Sequence, residues 1–352
     1  MSTFWGTAEL TQVIKLCLDA SSLPSGKVQA TATLVKSLTK QPAAKVLLPT
    51  LAEIWPSVED AARAGKTEKV ISYFDFLKRA LRNAERDVVS DQLKFIFKLF
   101  LRAFEVVVPG SESQTKAISA FVELVVKLND TTFKPMFRRL FDWAFADSSD
   151  KSVQKKISFC DVYIALLDYF KALVAPYMAF IFQASLQLLK GFQDLTVDSP
   201  DLWTRMLTLT LKSMTYDDGV FWHEDKARQF SGPLIQQIPV CVRLFPTSAD
   251  ARLLLEQCLV ALAENTSDDI VLKTINLNVL LHTRSEETKV KLLALSCSEA
   301  LWAAHAGKLL GFAPETATFI FECAEDDNDD VLQASVKLKE AVESVAGAIS
   351  GL

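Results

Sequence analysis

The three histidines are the first residues to weigh for acid–base or metal chemistry, and their positions argue against both. His223, His282 and His305 share no spacing that would bring imidazoles to one ion or one substrate. The segment "HEDKA" at 223–227 begins like a zinc-protease helix, in which two histidines one turn apart hold the metal and the glutamate acts as base. Ala227 stands where the second histidine is needed. The segment "SSLPSGKV" at 21–28 has the Gly-Lys pair of a phosphate-cradling loop. Ser21, however, occupies the first required glycine, and Val28 replaces the Ser or Thr that would meet Mg²⁺. Six cysteines, at 17, 160, 241, 258, 297 and 323, are scattered among apolar residues without a C-x-x-C pair, the pattern of reduced core thiols. No catalytic residue, cofactor site, metal site or small-molecule substrate is expected.

Charged and aromatic clusters are better candidates, and their chemistry is binding. Arg138 and Arg139, followed by Lys151, Lys155 and Lys156, would meet on one rim of a helix pair and neutralise phosphates. The same residues also fit a solvated face, with Arg138 paired to Asp142 one turn on. Lys78, Arg79, Arg82 and Arg86 form a second cluster at helical spacing. Phe221 and Trp222, in "YDDGVFW", are either an exposed partner anchor or a pin that holds their loop on the core. The acidic run "EDDNDD" at 325–330 straddles a helix start, where Asp329 and Asp330 face the positive end of the helix dipole.

The elements that position these residues read as helices almost throughout. In "TTFKPMFRRLFDWAF" (131–145), Phe133, Phe137, Phe141 and Phe145 fall in one row. Met136, Leu140 and Ala144 fall in the next, with Trp143 at its edge. The apolar arc spans about 200°, wider than the ~100° stripe of a surface helix, so other helices must cover it on two sides. Helix starts are marked by residues that accept hydrogen bonds from the orphan N–H groups of a first turn. The predicted caps are Ser25, Thr67, Ser111, Ser149, Ser199, Ser248, Ser285 and Asn328. Their spacing of about 43 residues matches the ~40–47-residue period of HEAT or armadillo arrays. A partner helix is predicted before each cap, at 7–19 and near 46, 91, 133, 175, 233, 270 and 314. About eight helix pairs result, an all-α HEAT-like solenoid in which neighbours share one continuous core. One continuous array over 1–352 is expected, with an irregular insertion near 191–246 where Gly219, Gly232 and Pro233 break the rhythm.

Composition agrees. Only 11 of 352 residues are glycine, which disfavours hairpins and phosphate loops. The net charge of −5 is uneven: residues 1–176 are net basic and the remainder net acidic, which permits an anionic partner for the first half. The start "MSTFWGTAEL" lacks a charged head and an apolar core, so no signal peptide is expected. The longest uncharged run, 172–189, is interrupted by Pro176, Gln183, Ser185 and Gln187 and reads as a buried helix, not a membrane span.

Five segments then resemble one family in its own order. "TTFKPMFRRLFDWAF" is similar to a Thr-Phe-basic-Pro…Phe…Leu-Phe-Asp-Trp-Ala segment of the U3 small nucleolar RNA-associated protein 10 family, whose animal members are called HEAT repeat-containing protein 1. "LLDYFKALVAPYMAFIF" (166–182) resembles its Leu-rich helix ending in Val-Pro-Tyr, with Ala175 interposed here. "YDDGVFW" (216–222), "INLNVLLHTRSEETKVKLLAL" (275–295) and "APETATFIFECAEDDNDDV", with Ala313 in place of the family's Leu, follow. The likeness covers roughly 120–345, while 1–110 matches only as generic HEAT-like repeats and 111–352 reads as family-specific. Because family members are several times longer, the resemblance implies a C-terminal portion of such a protein. It further implies a nucleolar, nuclear scaffold without catalytic residues in the small-subunit processome (the 90S pre-ribosome), acting in 18S rRNA maturation. The implied partners are other U3-associated processome proteins and U3 RNA or precursor rRNA, with no membrane. The alternative is a HEAT-repeat adaptor in transport or phosphatase scaffolding.

Overall fold

The computed structural model describes residues 7–20, 44–146 and 152–349. Among these residues there is no β-strand, and the chain is an all-α solenoid. It divides into two compact units, Met1–Tyr169 and Phe170–Leu352.

In the first unit the helices are α1 (Thr7–Ala20), α2 (Ala44–Arg63), α3 (Thr67–Asn83), α4 (Arg86–Val106), α5 (Glu112–Val126), α6 (Asp130–Phe145) and α7 (Ser152–Phe170, whose last residue lies in the second unit). Each hairpin packs on the next in register. Thus α2, α4 and α6 are successive neighbours in one layer, and α1, α3 and α5 in the other. A helix in the middle of such a stack is covered on two sides, which is why its apolar arc is wide. The core is an aromatic chain running through consecutive repeats: Trp55, Tyr73, Phe74, Phe100, Phe104 and Phe121, with ring centroids 5.2–6.3 Å apart. The Tyr73 hydroxyl, fully buried, donates to the Leu51 carbonyl at 2.8 Å. In α6, Phe133 and Phe137 are buried and Phe137 packs against Phe159 and Tyr163 of α7. Phe141 and Phe145 are half-buried and close on Phe159.

In the second unit the helices are α8 (Met178–Gln193), α9 (Pro200–Tyr216), α10 (Glu224–Ile235), α11 (Gln237–Leu244), α12 (Ala249–Glu264), α13 (Asp269–Leu281), α14 (Thr288–Leu309), α15 (Ala313–Ala324) and α16 (Asp329–Ala346). The two-layer order recurs: α9, α12, α14 and α16 pack in succession, as do α10, α13 and α15. Two buried amides tie its layers. Gln237 accepts from the Trp203 indole at 3.0 Å and donates to the carbonyls of Leu189 and Pro233. Asn276 accepts from the Trp302 indole and donates to Thr316. Gly191 is required by a close approach, because a Cβ there would stand 2.8 Å from the Val197 side chain.

The predicted caps fare unequally. Ser111, Ser199, Ser248 and Asn328 each accept a first-turn N–H. Thr67 is the first helical residue behind Lys66, and Ser285 lies two residues before Glu287, the residue that opens α14. Ser25 and Ser149 lie outside the described residues. Two caps escaped the sequence reading. Asn129 makes a full capping box with Thr132 at the start of α6, and Asp268 caps α13. The helix predicted near 233 begins instead at Glu224 and breaks at Gln236, with Pro233 inside its last turn.

Candidate functional site

The period seen in the sequence reappears as the chain separation of the polar ties. Arg102 meets Glu59 at 2.9 Å, Lys116 meets Asp75 at 3.3 Å, and Arg82 meets Glu123. Arg228 meets Asp268, Lys273 meets Glu315 and Arg284 meets Glu322, all at 2.6–2.7 Å. Each links one repeat to the next. Many cations that looked available in the sequence are therefore engaged within the fold.

That sorting divides the residues of the predicted basic cluster. Arg138 and Arg139 are exposed on α6, and among the described residues neither has a partner, Asp142 included. Lys155 is different. Its ammonium lies 3.2 Å from Glu105 and 5.5 Å from the centre of the Trp143 ring, while the Trp143 indole donates to the same Glu105 at 3.0 Å. Lys156 stands 5.9 Å from the Phe145 ring centre. Lys151 lies outside the described residues. In the second cluster, Lys78 donates to Ser119 and Arg82 pairs with Glu123, leaving Arg79 and Arg86 exposed.

The structure adds three residues that the sequence reading missed. On α4, the neighbour of α6 in its layer, Phe95 is 65% exposed between exposed Lys94 and Lys98. Neither lysine has a partner among the described residues. The signal was present, since Phe95 falls outside the stripe formed by Ile96, Leu99, Phe100 and Ala103. Among the described residues, Lys94 and Lys98 on α4 and Arg138 and Arg139 on α6 are thus exposed cations without partners on adjacent helices, and α4 also carries the exposed Phe95. Chemically such an array suits phosphates and a stacked base.

The aromatic anchor is corrected. Phe221 and Trp222 are 7% and 2% exposed. Asp217 accepts the N–H groups of both residues, and Gly219 at φ +76° turns the chain between Asp217 and Phe221. Both rings pack on Phe182, and the Trp222 indole donates to Ser213 at 3.1 Å. The pair pins the loop onto the core, because burying two large rings outweighs presenting them to water.

The acidic run is structural at its centre. Asp326 meets Lys291 at 2.5 Å, and its carboxyl is held below the usual range by that hydrogen bond and by the Asn328 N–H. The histidines are dispersed. His223 precedes α10, burial pushes His282 down, and His305 sits in a kink of α14 with Nε2 2.9 Å from the Val260 carbonyl. Among the described residues no group of three His, Cys, Asp or Glu could hold a metal ion, and no helix is long and apolar enough to cross a membrane. Burial raises the Cys241 thiol to about 12, a direction opposite to that of a reactive thiolate.

Comparison with known proteins shows the resemblance read from the sequence. Residues 88–222 match the BP28CT (NUC211) domain. The U3 small nucleolar RNA-associated protein 10 of Mycosarcoma maydis is 24% identical over 99% of this chain, and that of Schizosaccharomyces pombe is 27% identical over 86%. The protein of the same name from Candida glabrata is 24% identical over 97% of the chain. The chain spans 18–20% of the length of these relatives. Among solved structures, crystal structures of Kap121p bound to Ste12p and to RanGTP superpose with TM-scores of 0.58 and 0.56. They cover 98% and 96% of this chain and 38% and 37% of theirs, at 13% and 14% identity, which is a likeness of fold.

Proposed function

From its likeness to U3 small nucleolar RNA-associated protein 10, extending over most of its length, we propose that this chain serves ribosome biogenesis as a non-catalytic scaffold of the small-subunit processome in the nucleolus. The observation that carries the reading is that likeness over 86–99% of the chain by relatives that share one name. The solenoid supports it physically. Stacked hairpins bury their apolar faces in a common core and leave two layers of helix surface for neighbours. Its partners are other U3-associated proteins, and it supports 18S rRNA maturation by docking them. The test is isolation of particles on a tagged form of the chain in its natural host. Enrichment of U3 RNA and 18S precursors over an unrelated solenoid is expected. Recovery of the chain in complexes devoid of U3 RNA would overturn the reading and favour an adaptor in another process.

A contact with U3 RNA or precursor rRNA belongs to the first unit. Four exposed cations without partners among the described residues, Lys94, Lys98, Arg138 and Arg139, support it, with Phe95 as the stacking surface. Lys155 and Lys156 lie deeper, against Trp143 and Phe145, and contribute less.

A further inference from the structure

The second unit holds a groove of about 710 Å³ between three successive helices of one layer, α9, α12 and α14. Its wall on α12 is a single stripe: Leu253, Glu256, Val260 and Glu264 recur at i, i+3, i+7 and i+11. The stripe runs about 16 Å, three helical turns. Leu253, 51% exposed, projects into it without cover. Leu211 and Met214 of α9 supply the facing apolar wall, and Ala300 of α14 leaves room opposite. Three carboxylates line the groove, Asp217, Glu256 and Glu264, and among the described residues no Lys or Arg does, while His305 lines it with Nδ1 3.3 Å from Glu264. Lys308, at the margin, is turned to the carbonyls of Ala263, Glu264 and Thr266 and lies 3.6 Å from Glu264.

Glu256 is the telling residue. Its carboxylate accepts from the Ser296 hydroxyl at 2.5 Å, and no cation forms an ion pair with it among the described residues. Burial pushes it above the ordinary carboxylate range, and Glu299 nearby adds to that, against the opposing effects of Ser296 and Arg252. A half-buried carboxylate in this state gains from a cation brought by a ligand.

We infer that this groove docks an amphipathic helical segment of a partner protein, apolar on the face that meets Leu211, Leu253 and Val260 and carrying Lys or Arg toward Glu256 and Glu264. Charge complementarity argues for this occupant, since the second unit has 24 acidic against 15 basic residues. So does length, because three turns of matched apolar and acidic positions read a helix through its i, i+3/i+4 and i+7 anchors.

The test uses the full chain and two fluorescein-labelled 14-residue peptides with the same leucine spacing, one with lysines between the leucines and one with glutamates. Fluorescence anisotropy is expected to show saturable binding of the Leu/Lys peptide and none of the Leu/Glu peptide. Leu253→Asp, and Glu256→Gln combined with Glu264→Gln, are each expected to weaken binding about tenfold or more, as loss of a central anchor does. Glu340→Gln, exposed on α16, leaves it unchanged. Circular dichroism melting confirms that each variant is folded. If Leu253→Asp does not fold, the double Gln variant decides. Failure of the Leu/Lys peptide to bind, equal binding of the two peptides, or groove variants with unaltered affinity would overturn the inference. So would sedimentation showing that a second copy of the chain fills the groove.

Discussion

The two units are built from the same two-layer stack of helix hairpins, yet they present opposite chemistry. Residues 1–169 carry 23 Lys and Arg against 19 Asp and Glu, while 170–352 carry 15 against 24. The first unit ties its repeats with ion pairs such as Arg102–Glu59 and Lys116–Asp75, and still has Lys94, Lys98, Arg138 and Arg139 exposed without partners among the described residues. In the second, Arg228, Lys273, Arg284 and Lys291 are joined to carboxylates of neighbouring repeats, and Glu256 has no ion-pair partner among the described residues. One repeat architecture thus supports two surfaces, because the core fixes the stack and the outward positions are free to differ.

The largest effects should come from the cores, where the units are alike. Phe137→Ala in the first and Trp222→Ala in the second should each cost about 3–5 kcal/mol in urea unfolding, the loss for a buried aromatic ring. A cost below about 1 kcal/mol for Trp222→Ala would restore the exposed-anchor reading of that loop.

The next effect should separate the units. Reversing Lys94, Lys98, Arg138 and Arg139 to Glu should weaken binding of a single-stranded RNA 20-mer at least tenfold. It should also flatten the salt dependence by roughly 0.7 for each phosphate no longer neutralised. Lys155→Gln with Lys156→Gln should change the salt slope little, because Glu105, Trp143 and Phe145 already engage those ammonium groups. Equal slopes for both sets would move the RNA face elsewhere.

Caps give a smaller, matched pair. Asn129→Ala at α6 and Asn328→Ala at α16 should each cost about 1 kcal/mol, read as the shift in urea midpoint.

The smallest effect has opposite signs within the second unit. Glu256 has a folded value above its ordinary one, so in that window the folded state holds more protons and stability falls as pH rises. Glu256→Gln should therefore raise the melting temperature slightly at pH 7, and the gain should vanish below about pH 4, under the ordinary carboxylate value. Asp326 and Glu322 are lowered by hydrogen bonds from Lys291 and Arg284. Their contribution is full above the ordinary carboxylate range and is lost as pH falls through their folded values. Asp326→Asn should destabilise at neutral pH, and the cost should shrink as pH falls through the folded value of the carboxyl.

Much of the fold was legible because its causes are local. The row of Phe133 and Phe137 follows from 3.6-residue geometry, and Ser111, Ser199, Ser248 and Asn328 mark helix starts because a first turn lacks acceptors for its N–H groups. Asn129 was missed although its box with Thr132 is equally local, since Thr in place of Glu or Gln hides the pattern. The candidate site was half legible: Arg138 and Arg139 were identified, and Phe95 with its lysines was not.

By itself the sequence determined that this chain forms helices, paired at a period near 43 residues, with a basic first part and an acidic second. Only the tertiary structure decided which charges face solvent. Lys155 and Arg138 are both cations of the cluster predicted from the sequence, yet one lies against Glu105 and the other is exposed, with no partner among the described residues. The reason is physical. A partner some 40 residues away in the chain comes within reach only when neighbouring repeats pack in register, and that register is set by the whole buried face of each helix.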